Sequence, residues 1–148
     1  MGLGEIFVFV FFGVVATLGS AYAVAEELTS AMWISCVPVG CFACALLVVN
    51  NLRDIPTDSK VGKNTLAVRL GDSRTRQFFL FLFVLSAVFV IAVAVQKPAA
   101  ILGLVGIASA RSAVRTVRGG ATGRDLIAVL GATGRAQLIF GLVFSIGL

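Results

Sequence analysis

Histidine is absent from the 148 residues, and charge is scarce: Asp, Glu, Lys and Arg together make up 13% of the chain. The first absence removes the commonest metal ligand and the side chain best suited to general base work near neutral pH. The second excludes disorder, which needs a polar and highly charged chain. It also excludes an ordinary water-soluble domain, where about a quarter of the residues are charged. Any chemistry falls to carboxylates, Lys, Arg, Asn, Tyr or Cys. Cysteine is sparse as well. Cys36, Cys41 and Cys44 all lie in one apolar run, without paired loops for a disulfide or further soft ligands for a metal, so they read as small packing residues. The opening Met1-Gly2-Leu3-Gly4-Glu5 has no basic residue ahead of its apolar run, which argues against a secretory leader. Ile6 stands where a myristoylation motif requires Ser or Thr.

What the chain has in abundance is apolar sequence: 59% hydrophobic residues and a mean hydropathy of +1.04. That composition specifies an all-α, polytopic transmembrane bundle of about four to five spans, since about 20 apolar residues cross the hydrocarbon core as a helix. Candidate spans run over 6–25, 31–49 (with Trp33 near one end, where an interfacial aromatic is at home), 78–95, and from Pro98 to a point where Arg111 and Arg115 snorkel from the last turns. The stretch 126–148 is long enough for one more span. Arg135 would then lie near mid-membrane at a cost on the order of 3 kcal/mol, so the favoured reading puts 126–134 at the interface and starts a span at Ala136. Small residues at helix-packing spacing, Gly13, Thr17 and Ala21, and Gly106 with Ala110, suit close helix crossings.

The net charge of +5 is unevenly placed. Arg53, Lys60, Lys63, Arg69, Arg74 and Arg76 fall in the polar segment 50–77, and Arg111, Arg115, Arg118 and Arg124 in a second basic segment. The intervening connections carry only Glu26 and Glu27, or Lys97 alone. By the positive-inside rule both basic segments face the cytoplasm of a bacterial cell membrane. Basic residues confined to short connections do not form a nucleic-acid surface.

One stretch carries chemistry: Asn50-Asn51-Leu52-Arg53-Asp54-Ile55-Pro56-Thr57-Asp58, continuing through Lys60, Gly62-Lys63-Asn64 and Arg69 to Gly71. Asp54 and Asp58 are four apart, the spacing that puts two side chains on one helical face. Paired carboxylates suit Mg²⁺, which binds through one or two of them while keeping waters and substrate phosphates. Arg53, Lys63 and Arg69 would neutralise the remaining phosphate oxygens. The same spacing also fits a solvated loop whose acids and bases merely pair. Pro56 disfavours helix at Ile55, so a regular helix through both aspartates is not expected. A phosphate-binding P-loop at Gly62-Lys63 fails, because Thr57 and Asn64 occupy its required Gly and Ser/Thr positions.

The run from Asn50 to Asp58 and the run Gly62-Lys63-Asn64-Thr65-Leu66-Ala67-Val68-Arg69-Leu70-Gly71 resemble the second aspartate-rich motif of the UbiA-type intramembrane prenyltransferases. Gly2-Leu3-Gly4-Glu5 and Ala132-Thr133-Gly134-Arg135-Ala136-Gln137-Leu138 are similar to further segments of that family. The likeness is greatest to the 1,4-dihydroxy-2-naphthoate polyprenyltransferases of menaquinone synthesis. It implies an enzyme that transfers a polyprenyl group from its diphosphate to dihydroxynaphthoate, with loss of carbon dioxide, giving demethylmenaquinone in its reduced, quinol form. It also implies Mg²⁺ held by Asp54 and Asp58 as the catalytic and metal-binding carboxylates. Asn50, Asn51 and Arg53 match the polar shoulder of the motif, and Lys63 and Arg69 its diphosphate-contacting bases. Phe rings, 12 in the chain, could steady an allylic cation, although most are read as packing or lipid-facing. Glu5 matches a family acid near the cytoplasmic end of a helix; the resemblance leaves open a role in positioning or deprotonating the acceptor, and interfacial solvation is its expected state.

The resemblance also implies a partner for this chain. The family's bundle of about nine helices carries a first motif, Asn-Asp-x-x-Asp-x-x-x-Asp, that no stretch here matches. Beyond Asp54 and Asp58 the only acids are Glu5, Glu26, Glu27, Asp72 and Asp125. The chain is therefore read as a C-terminal half that needs an N-terminal half to act. Two readings compete with it: a prenyltransferase for another aromatic acceptor, such as 4-hydroxybenzoate or homogentisate, and a small transporter or scaffold bundle whose basic segments meet anionic lipid.

Overall fold

The computed structural model describes residues 2–148; Met1, the first residue of the segment tested for a leader, lies outside them. Among the described residues there are helices and no strands. Six helices follow in order: α1 (Gly4–Ala25), α2 (Ser30–Lys60), α3 (Leu66–Ala94), α4 (Pro98–Ser109), α5 (Arg111–Arg118) and α6 (Asp125–Gly147). Four of them, α1, α2, α3 and α6, are long and apolar enough to cross a membrane, and the bent pair α4 and α5 makes a fifth crossing if taken as one. The all-α bundle expected from composition is thus the observed fold. Large side chains such as Phe7, Phe11, Phe12, Val88, Ile91, Leu142 and Ile146 are left exposed. In water that surface would demand a partner; in lipid it is the ordinary outer face.

The core lies where α2, α3 and α6 meet. Phe42 of α2 stacks on Phe140 of α6 with centroids 4.5 Å apart and meets Phe83 of α3 edge-on at 5.3 Å. Phe144 extends the stack on one side and Phe79 on the other. Five of the 12 phenylalanines are therefore core packing, each such pair adding about 0.5–1.5 kcal/mol beyond its area. The cysteines are all free and buried, as their apolar surroundings led us to expect. Small residues set the crossings: a methyl added at Gly13 would stand 2.7 Å from Gly40 Cα, and one at Gly106 would collide with the Phe140 backbone.

Three local expectations need correction. The polar segment 50–77 is not an extended connection, because α2 runs on to Lys60 and α3 starts at Leu66. Pro56 sits inside α2. The Thr57 hydroxyl donates to Asp54 O (2.9 Å) and the Ser59 hydroxyl to Ile55 O (2.7 Å), giving neighbouring carbonyls partners around the break in the ladder. Second, the stretch from Pro98 is not one straight helix: it bends by 40° before Arg111, so Arg111 and Arg115 stand on a separate helical piece beyond the break. Third, α6 is continuous through Arg135. A side cavity of about 230 Å³, lined by Arg135 with Ser112 and Thr116 of α5, gives that residue a polar flank in place of bare lipid.

The ends of the bundle differ in charge. At one end Ser30 donates to Gln96 Oε1 (2.7 Å), close to Lys97. At the other, Arg76 of α3 pairs with Asp72 and donates to Val117 O (2.6 Å) at the end of α5 and to Ala121 O (2.9 Å) just beyond it. That clamp brings the two basic segments to the same end. Nearby, α3 is interrupted at Gly71, whose φ of +75° suits glycine, and the Thr75 hydroxyl answers Gly71 O at 2.7 Å. If the crossing at Gly106 is as tight as described, Gly106→Ala lowers the melting temperature of the detergent-solubilised protein, overpacking costing about 1–3 kcal/mol. Gly131→Ala, with open space beside it, leaves the melting temperature unchanged or higher.

Candidate functional site

The site is built at the end of α2. Gly62, in the left-handed region at φ +71°, terminates the helix. Its N–H donates to Ser59 O (3.4 Å), and the next N–H, that of Lys63, donates back to Asp58 O (2.9 Å). This paired pattern is a Schellman cap, and glycine is the residue that makes it cheap. Its consequence is that the Lys63 side chain returns over the helix end and its Nζ meets both Asp58 oxygens at 3.2 and 3.1 Å. The Asp58 side chain is only 10% exposed and that of Lys63 is 58% exposed. Thr65 then starts α3, its hydroxyl accepting from Val68 N at 3.2 Å. The Gly-Lys dipeptide is thus a helix stop that aims a cation.

One turn earlier, Asp54 is gripped by its neighbour. Arg53 Nε donates to Asp54 Oδ1 (2.9 Å) and its Nη2 to Asp54 Oδ2 (3.2 Å) and to Asn50 Oδ1 (2.9 Å). Asn50 Nδ2 reaches Asp54 Oδ2 at 3.5 Å. Asn50, Arg53 and Asp54 therefore form one cluster and Asp58 with Lys63 a second. Asn51 belongs to neither. Turned about 100° from Asn50 around the helix, it is buried and donates from Nδ2 to Glu5 Oε1 at 2.9 Å. Arg69 stands by Gly2, whose added Cβ would lie 3.1 Å from Arg69 Cδ.

A cavity of about 620 Å³ adjoins both clusters, lined on its polar side by Asn50, Asn51, Lys63 and Asn64 and on another by Glu5 and Leu66. A second, apolar cavity of about 270 Å³, bordered by Phe9, Phe78 and Phe81, shares Glu5 and Leu66 with the first. Glu5 is the residue the sequence misplaced. It is 5% exposed, not a solvated interfacial acid, because α1 packs on α2 and puts it opposite Asn51. Its position at the start of an apolar run gives no sign of this, as a solvated acid would occupy the same place.

A model of the UbiA prenyltransferase family matches residues 1–144. The chain belongs to the UbiA prenyltransferase family. Among its relatives, 1,4-dihydroxy-2-naphthoate octaprenyltransferases from Mycobacterium tuberculosis and Mycobacterium leprae are 45% and 43% identical to it over 141 residues, 95% of this chain and 48% of each relative. The Bacillus subtilis protein of the same name is 25% identical over 148 residues, 98% of this chain and 48% of its own. The chain thus spans about half the length of these relatives. No solved structure matches it.

UbiA prenyltransferases generally use a divalent metal, and the donor set at the end of α2 fits one. Asp54 and Asp58 offer oxygen ligands on successive turns of one helix face. Two carboxylates suit an ion that takes one or two of them and completes its shell with water and phosphate; among the described residues no third carboxylate, cysteine or histidine joins them. Both carboxylates already hold cations, so a metal would have to displace or share Lys63 and Arg53. The Asn51–Glu5 bond generates a prediction of its own. Asn51→Leu leaves a buried carboxyl group without a donor, a loss of about 1–3 kcal/mol. Thermal unfolding in detergent is expected to show a lower midpoint for Asn51→Leu and recovery of most of it when Glu5→Leu is added.

Proposed function

We propose that this chain is the second-motif half of a 1,4-dihydroxy-2-naphthoate polyprenyltransferase of menaquinone synthesis, with Asp54 and Asp58 as its catalytic, Mg²⁺-holding carboxylates. The observation that carries the reading is their common face at the end of α2, where each meets a cation and where their hydrogen-bond partners Asn50 and Lys63 line a 620 Å³ cavity. The names of its relatives support the donor and acceptor. The first acidic motif comes, on this reading, from an N-terminal half outside these 148 residues.

The work divides among the residues by charge. Asp54 and Asp58 would hold Mg²⁺, which when bound neutralises the donor's diphosphate and eases its departure. Arg53 fixes Asp54 in one orientation through two hydrogen bonds. Lys63, more than half exposed, turns from Asp58 toward the cavity it lines, and with Arg69 gives point charges to the phosphate oxygens. Asn50 supplies neutral polar contacts on the same wall, while Asn51 reaches it through Glu5. As the allylic carbon–oxygen bond breaks, the electron pair leaves with the diphosphate. A ring carbon of the acceptor bonds to the allylic carbon, and the acceptor's carboxyl group departs as carbon dioxide. Fixed cations near the leaving oxygens stabilise charge where it develops.

The site faces the cytoplasm of a bacterial cell membrane, since the basic segments that the Arg76 clamp joins are the retained ones under the positive-inside rule. Two measurements test the reading. Asp54→Ala and Asp58→Ala in nanodiscs are expected to weaken Mg²⁺-dependent polyprenyl diphosphate binding about tenfold or more, the factor for about 1.4 kcal/mol; calorimetry showing the same affinity in both variants, with and without chelator, overturns it. For orientation, an impermeant maleimide applied to intact spheroplasts should label Glu27→Cys and spare Lys60→Cys. Labelling of Lys60→Cys alone reverses the assignment.

A further inference from the structure

Glu5 is a carboxyl group in an unusual state. Acids are seldom fully buried unless paired, and this one is buried with one oxygen satisfied and the other not. Oε1 accepts the Asn51 amide, whereas the enclosed Oε2 has no hydrogen-bond partner. The residue is also held from behind, where its backbone carbonyl accepts from Cys44 Sγ at 3.2 Å. An unmet buried acceptor costs about 1–3 kcal/mol, and such exceptions in a well-packed structure call for a reason. Position supplies one: Glu5 and Leu66 are the two residues that border both the polar and the apolar cavity.

An occupant of that junction must bring a hydrogen-bond donor for Oε2 and an apolar body for the chamber formed by Phe9, Phe78 and Phe81. A diphosphate does not qualify, because it carries only acceptors and negative charge; it belongs on the Lys63 side. A hydroxylated aromatic ring does. We propose that Glu5 binds the aromatic acceptor by taking a hydrogen bond from a ring hydroxyl on Oε2, while Asn51 holds the carboxyl group still. This deepens the prenyltransferase reading and rests on it. Like charges also set the pose. The acceptor's own carboxylate turns away from Glu5, toward Lys63 and Asn64, so the hydroxyl that Glu5 receives is the one remote from it, at ring position 4. Sites built to hydrogen-bond a hydroxyl reject analogues that lack it, because the buried partner is left unmet.

The test compares two ligands by calorimetry on the full enzyme in nanodiscs: 1,4-dihydroxy-2-naphthoate, and 1-hydroxy-2-naphthoate, which lacks the remote hydroxyl. Wild-type protein is expected to prefer the first about tenfold or more, and Glu5→Gln, which keeps shape and the Asn51 bond but offers an amide N–H₂ at the second position, to lose that preference. Equal affinity of the wild type for the two ligands overturns the proposal without recourse to any variant. So does a preference that survives in Glu5→Gln. Polyprenyl diphosphate binding is the second readout. Its loss in Glu5→Gln together with acceptor binding marks a merely structural residue and overturns the assignment. A wild type that binds the diphosphate but neither naphthoate defeats this proposal alone, whereas one that binds no diphosphate defeats the prenyltransferase reading beneath it.

Discussion

A helix longer than the membrane is thick determines where everything else in this protein sits. With 31 residues, α2 rises about 46 Å, against a hydrocarbon core of about 30 Å. Its apolar first part is fixed in the bundle by Phe42 and by the Gly13–Gly40 crossing. The polar remainder, from Asn50 to Lys60, therefore projects through the interfacial layer as ordered helix. Carboxylates there are shallow enough to meet water and ions, yet rigid enough to keep the spacing that one helix turn imposes. Had the chain unwound at Val49, the same acids would have been solvated on a flexible segment, with no common face.

Rigidity at that rim is reinforced from two directions. The Schellman cap at Gly62 returns the chain over Asp58 and delivers Lys63, so a backbone device and an ion pair act on one residue. The Arg76 clamp ties the first turns of α3 to the end of α5 and to the segment after it, through one carbonyl of each. Both are local, polar and at one end, whereas the apolar stack of Phe79, Phe83, Phe42, Phe140 and Phe144 holds the middle. Stability thus resides in the hydrocarbon layer and precision at its edge.

The spans were legible because lipid imposes one requirement, apolarity over a fixed length, and the chain meets it in plain runs. Spacing and family likeness single out Asp54, Asp58 and Lys63 together, whereas the structure divides them between two clusters, Asp54 with Arg53 and Asp58 with Lys63. What escaped was everything decided by orientation about a helix axis. Asn50 and Asn51 look equivalent as neighbours, yet one faces Arg53 and the other Glu5. Pro56 looked like a helix breaker, but the hydroxyls of Thr57 and Ser59 engage the carbonyls beside it. Glu5 looked solvated because burial depends on α2 arriving from 46 residues away along the chain. The bend before Arg111 has no proline to announce it.

Arg135 has a consequence for how the protein is made. A guanidinium in the middle of α6 raises the cost of delivering that helix into lipid by itself, by on the order of 3 kcal/mol. The polar wall that relieves it, Ser112 and Thr116, belongs to the preceding helix. During synthesis α5 leaves the ribosome first and is already present when α6 emerges. The hydroxyls that flank the charge of the later helix are therefore already made when that charge emerges.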